Sequence, residues 1–253
     1  MEISLNKEKS NTAVHRKRRI ALGILCGILL ATAIFCAVYV NDYYPADEEA
    51  IAALSGKADC IEIYEMKQGV TVFEPLNAEA GFIFYPGGKV EAAAYVPLME
   101  ALAVRNILAV LCDMPFNLAV LDVNKADGIR DAFPKIDDWY IGGHSLGGSM
   151  AASYLNKQGG FDGLILLGSY STADVSDTRV LSVFGSEDGV MNREKYEKYK
   201  SNLPKDYTEI IIDGGCHAYF GMYGEQEGDG KPEITPIQQI IITADHIKRF
   251  VEG

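Results

Sequence analysis

No Cys-x-x-C pair occurs in the 253 residues, and the five cysteines (Cys26, Cys36, Cys60, Cys112 and Cys216) are widely spaced and odd in number. This removes the usual signatures of a zinc site or a thioredoxin-like redox pair and argues against a disulfide framework. Histidine is scarce: His15, His144, His217 and His246 are the only four. Internal repeats and long low-complexity tracts are absent, so repeat architectures are set aside. Positive charge is thin outside the amino terminus. The chain carries a net −12, residues 1–40 carry +4, and the remainder therefore carries −16. A body of that sign repels nucleic-acid backbones and anionic lipid, so no nucleic-acid partner is expected; otherwise the acidity serves solubility.

Charge is missing altogether from Ile20 to Val40, a stretch that is apolar apart from Thr32. Its length matches the roughly 20 residues that span a bilayer. Arg16-Lys17-Arg18-Arg19 precede it, and Asn41-Asp42-Tyr43-Tyr44 follow. The basic flank predicts a cytoplasmic amino terminus, and the tyrosines suit the far interface. The reading is a single-pass cell-membrane anchor with the body outside the cytoplasm. The rival is a cleaved signal peptide followed by secretion, since Ala31-Thr32-Ala33 has the small-x-small form. The apolar run continues through Val40, which favours retention. The organisation expected is a basic cytoplasmic segment (1–19), a transmembrane anchor (20–40), a tether (41–59) and a catalytic domain (60–253). Within the tether, Asp47-Glu48-Glu49 begins an acidic, alanine-containing helix that ends near Gly56.

In the body, Cys60–Met66 alternates and Val70–Phe73 continues after Gly69, which predicts an antiparallel hairpin. Apolar runs at 81–85, 107–111, 139–141, 164–167, 180–184 and 209–212 predict buried strands. Helical spacing at 95–104, 148–155, 194–203 and 237–251 separates or follows them, while 118–133 reads as helix or loop. The fold class is α/β, a mostly parallel sheet with helices on both faces. Reactive loops then gather at the carboxyl ends of the strands.

Gly143-His144-Ser145-Leu146-Gly147 is a G-x-S-x-G pentapeptide between a strand and a small-residue helix. That context makes it a nucleophile elbow. A serine hydroxyl needs a base to take its proton. His217 follows a strand and a Gly-Gly turn and lies after the serine, so it is the candidate base. His15 sits in the basic flank, His246 on the terminal helix, and His144 is expected to be turned elsewhere by the elbow. The base needs a carboxylate to orient it. Asp188 lies between Ser145 and His217, giving the order Ser, Asp, His; its neighbour Glu187 is expected to point away, and Asp213 reads as a turn residue. An oxyanion hole needs two N–H donors. Leu146 supplies one, and Gly87 or Gly88 after the 82–85 strand supplies the other, unless Pro86-Gly87-Gly88 is a plain strand-end turn.

Tyr85-Pro86-Gly87-Gly88-Lys89-Val90, Gly143-His144-Ser145-Leu146-Gly147-Gly148, Gly185-Ser186-Glu187-Asp188 and Gly214-Gly215-Cys216-His217 together resemble the α/β-hydrolase superfamily, and within it the compact, lidless, dienelactone-hydrolase-like branch (fold-5). The resemblance covers about residues 60–252. It implies a serine nucleophile, an aspartate, a histidine base and an acyl-enzyme intermediate. Tyr85-Pro86 stands where many relatives have His-Gly, which leaves the choice of oxyanion glycine open. Ser169–Arg179 is only a loop, so a lid-gated lipase is not expected.

The expected function is a membrane-anchored serine carboxylesterase acting on a small-molecule ester, with no metal or organic cofactor. The alternatives are an acyltransferase or peptidase using the same residues, or a non-catalytic binding module. Glu225-Gln226-Glu227-Gly228-Asp229-Gly230 faintly resembles a calcium loop, but Pro236 stands at its twelfth position, so it reads as a solvated loop. Phe116, Tyr170, Tyr219, Phe220 and Tyr223 are candidates for a substrate pocket or for ordinary packing.

Overall fold

An apolar helix and an α/β body make different demands on solvent, and the chain divides accordingly into two compact units, residues 1–42 and 43–253. The computed structural model describes residues 2–53, 60–66 and 69–253, with side chains from residue 17 onward. In the first unit, α1 (Glu2–Asn41) is one uninterrupted helix. Its segment Lys17–Asn41 has a mean hydropathy of 2.6, and none of its apolar window is buried. At 1.5 Å per residue those 25 residues extend about 37 Å, enough to cross a hydrocarbon layer of about 30 Å.

The second unit begins with residues that the sequence assigned to a tether. Residues 43–53 instead pack into the body. Tyr44 forms a parallel bridge with Val90, and Ala46 N–H donates to the Glu91 carboxylate at 2.9 Å. Asp47 caps the short helix α2 (Glu48–Ala53) by accepting from Ala50 N–H. Ala46 and Ala50 are buried; their small side chains let the segment lie close to the body. The expected helix end near Gly56 lies outside the described residues.

An eight-stranded sheet follows: β1 (Ile61–Met66), β2 (Val70–Pro75), β3 (Ala80–Tyr85), β4 (Ile107–Cys112), β5 (Trp139–His144), β6 (Gly163–Leu167), β7 (Arg179–Gly185) and β8 (Thr208–Ile212). Their spatial order is β1-β2-β4-β3-β5-β6-β7-β8. β1 pairs β2 and β2 pairs β4 antiparallel; every other pairing is parallel. The helices of the body are α3 (Val96–Ala103), α4 (Leu146–Gln158), α5 (Arg193–Tyr199) and α6 (Pro236–Glu252). Residues 118–133 are loop with short 3-10 turns at Ala119–Leu121 and Arg130–Ala132.

β3 shows how the sequence divides the core. Phe82 and Phe84 pack with α3 and α6 residues such as Leu102 and Ile247. Ile83 and Tyr85 face the opposite way, toward Ala151 and Leu155 of α4. Period-two alternation in a wholly buried strand serves two apolar layers, each side chain contributing about 1.5–3 kcal/mol. Parallel pairing puts the ends of β3, β5, β6, β7 and β8 along one rim, and the loops leaving that rim build the site.

Candidate active site

β5 runs straight into α4 through Ser145, whose backbone sits at φ 52° and ψ −120°. A non-glycine residue there stores about 1–3 kcal/mol of strain, which persists only where the surroundings over-determine it. Three constraints do so. Ser145 N–H donates to Leu167 O at 2.9 Å. Ser145 O accepts from Ser169 Oγ at 2.7 Å. The elbow also presses on β3: a Cβ at Gly143 or Gly147 would come within 2.2 and 2.1 Å of Tyr85 O. Ser145 itself is half-buried.

Leu146 opens α4, so its N–H has no carbonyl partner within the helix. Gly88 stands opposite, since a Cβ on it would lie 2.9 Å from Leu146 Cδ2. The other glycine candidate is corrected: Gly87 N–H donates to Tyr95 Oη at 3.1 Å and is already occupied. The reason is the α3 approach, where buried Tyr95 reaches back under the 86–88 turn.

Asp188 and His217 come together from the loops after β7 and β8. His217 Nδ1 and Asp188 Oδ2 are 2.9 Å apart, and both side chains are buried. Asp188 Oδ1 is held by Val190 N–H (3.0 Å) and Met191 N–H (2.8 Å), which turns Oδ2 toward the imidazole. An ionised Asp188 only accepts, so it assigns the proton to Nδ1 and leaves a lone pair on Nε2. Nε2 is buried and has no hydrogen-bond partner among the described residues, Ser145 included. The ring nevertheless lies beside the elbow. A Cβ at Gly168 would come within 2.9 Å of Nδ1, and Gly168 directly follows the carbonyl that holds Ser145 N–H. Glu187 faces away and accepts from Ser186 Oγ, while Asp213 is exposed and His246 sits on α6.

His144 is turned toward Tyr95. It lies against His217, with ring centroids 4.4 Å apart. Its Nδ1 is 2.8 Å from Tyr95 Oη. Burial holds the tyrosine fully protonated. Oη accepts from Gly87 N–H, and placing its own proton on Nδ1 assigns His144 as the neutral Nε2–H tautomer. Burial, then the neighbouring His217, push its pKa well below the ordinary histidine value.

Of the aromatic pocket candidates, Phe220 and Tyr223 are core residues, and Tyr170 stacks on Tyr199. Phe116 is exposed and adopts φ 54°. Tyr219 lines a cavity of about 320 Å³ with Ala218, Gln226 and Asp229. Sequence reasoning missed Tyr95, Ser169 and Asp229. Only Asp229 left a signal there, the acidic Gly-Asp-Gly turn that was read as solvated. Among the described residues no group of three His, Cys, Asp or Glu side chains is placed to hold a metal, and all five cysteines are unpaired.

A profile described as the alpha/beta hydrolase family matches residues 81–241, more than half of the chain. Among solved structures, a dienelactone hydrolase from Anabaena variabilis superposes with a TM-score of 0.57 at 13% identity, covering 76% of this chain and 98% of its own. A carboxyl esterase from the fungus Tuber melanosporum superposes with a TM-score of 0.58 at 12% identity, covering 83% and 91%. No curated protein matches the sequence. At these identities the likeness is one of fold.

Proposed function

The chain belongs to the alpha/beta hydrolase family, and on that premise we propose that it is a serine hydrolase acting on small or medium carboxylic esters. The observation that carries the reading is the buried Asp188–His217 pair, with an unpartnered Nε2, beside a serine held at φ 52°. In this mechanism His217 Nε2 takes the proton from Ser145 Oγ as the oxygen attacks the ester carbonyl. Asp188 holds the ring and stabilises the imidazolium. The N–H groups of Leu146 and Gly88 receive the developing oxyanion; their fixed positions cost no reorganisation during the reaction. His217 returns the proton to the departing alcohol, leaving an acyl-serine that water cleaves by the same exchange. The transfer requires Ser145 Oγ to close on Nε2, a contact of the kind that tightens when substrate binds.

The short connection between β6 and β7 supports an open site and substrates without long acyl chains. For location, the apolar segment 20–40 with its basic flank supports a retained anchor and a body outside the cytoplasm, with signal cleavage and secretion as the rival. The test is labelling of the full chain by a fluorophosphonate probe. Wild type reacts, while Ser145→Ala and His217→Gln do not; an unreactive wild type, or a labelled Ser145→Ala, overturns the reading. Products formed with added alcohol or peptide separate hydrolysis from acyl transfer and peptidase activity.

A further inference from the structure

We propose that Asp229 is a positioning residue whose carboxylate locks the loop bearing His217 to the loop bearing Asp188. This rests on the hydrolase reading above. Asp229 Oδ1 accepts from His217 N–H (3.1 Å), Gly189 N–H (3.1 Å) and Gly230 N–H (3.0 Å). Its Oδ2 accepts from Ala218 N–H at 2.8 Å. Three donors thus converge on Oδ1 and one on Oδ2, with the Gly230 N–H shared with Glu187 O at 3.0 Å. Bonds to an ionised acceptor are roughly twice as strong as neutral ones.

The donors identify the purpose. Gly189 follows Asp188, and His217 donates its own main-chain N–H. The contacts therefore close a ring: from Asp188 through Gly189 N–H to Asp229, on to His217 N–H, and back through Nδ1 to Asp188 Oδ2 at 2.9 Å. With the ring closed, the imidazole stands at a fixed distance from the acid. The same polarity answers the calcium-like spelling of 225–230. Protons converge on Asp229, the opposite of what a cation site offers.

The fold does not hang on this residue. Gln239 of α6 grips Cys216 from the other side, accepting from its N–H at 3.0 Å and donating to its carbonyl at 2.8 Å. Glu187 N–H also donates to Gly215 O at 2.8 Å. With these ties left in place, Asp229→Asn keeps both loops folded and loses only their fine register. An amide puts N–H where Ala218 N–H needs an acceptor.

The experiment uses the detergent-solubilised full chain. The downfield proton resonance of His217 Nδ1–H, identified by its loss in His217→Gln, reports the Asp188 contact whether or not the protein is an enzyme. In Asp229→Asn this resonance moves or broadens. Labelling by the fluorophosphonate falls at least about ten-fold, the scale expected when a reacting group is displaced by part of an ångström. KM for p-nitrophenyl acetate changes less than about two-fold, and Asp229→Glu recovers part of the rate because charge returns. A resonance and labelling rate equal to wild type overturn the proposal. If Asp229→Asn does not fold, Asp229→Glu decides: its oxygens sit one methylene further out, so an unchanged resonance and rate overturn the clamp. A wild type that fails to label defeats the hydrolase reading while the resonance still tests the clamp.

Discussion

At the scale of single residues, Gly168 is where the Asp188–His217 pair leaves no room for a side chain. It adopts φ 51°, and an added Cβ would lie 2.9 Å from His217 Nδ1 and 3.2 Å from Asp188 Oδ2. Gly168→Ala is expected to lower fluorophosphonate labelling at least about 100-fold by pushing the pair apart. It also costs about 1–3 kcal/mol in urea unfolding through backbone strain. His144 sets a second expectation. Its folded-state pKa is depressed by burial and by His217, whereas the unfolded chain titrates near the ordinary value of about 6.5. The unfolded state therefore binds more protons as pH drops. Stability from the neutral ring is complete above about pH 6.5 and is lost as pH falls from there toward the depressed value. Urea unfolding between pH 7 and 5 shows a shallower decline in His144→Gln than in wild type. His246, lowered by burial and then by Arg249, acts with the same sign in both proteins, so the difference isolates His144. Ser145, Asp188 and His217 stand out as candidates in the sequence because each follows a strand end. Tyr95 and Asp229 do not, because each works through backbone N–H groups far away in sequence, and no spacing rule records such a contact.

At the scale of elements, apolar runs and glycine punctuation located β3, β4, β5, β6 and β7, since a strand buried on both faces leaves a nearly unbroken apolar signature, whereas alternation marked the half-exposed β1. The region 118–133 left no such mark. Its side chains serve short 3-10 turns, where neither a period of 2 nor of 3.6 is sustained. Residues 43–53 misled for a related reason: Ala46 and Ala50 carry too little apolar surface to announce that they are buried. The last helix was clear from both its pattern and its start. Thr235 accepts from Gln238 N–H, and Gln238 Oε1 accepts from Thr235 N–H, a complete capping box before Pro236. Thr235→Ala is expected to lower unfolding stability by about 1 kcal/mol. The rate of probe labelling stays at the wild-type value, because Gln239 keeps its hold on Cys216.

At the scale of the whole molecule, α1 makes its own prediction. An anchor keeps the full chain in the membrane pellet after alkaline carbonate washing, whereas cleavage near Ala33 releases the body to the supernatant. Detection of the carboxyl terminus in each fraction decides between them. The strand order has a further consequence. β5 and its turn lie midway along the polypeptide, but the imidazole arrives only after β8, an edge strand of the sheet. A chain still emerging from the ribosome can shape the hydroxyl-bearing corner well before it owns a proton acceptor. On the proposed mechanism, reactivity therefore switches on late, once the far edge of the sheet has docked, and an unfinished copy stays chemically silent.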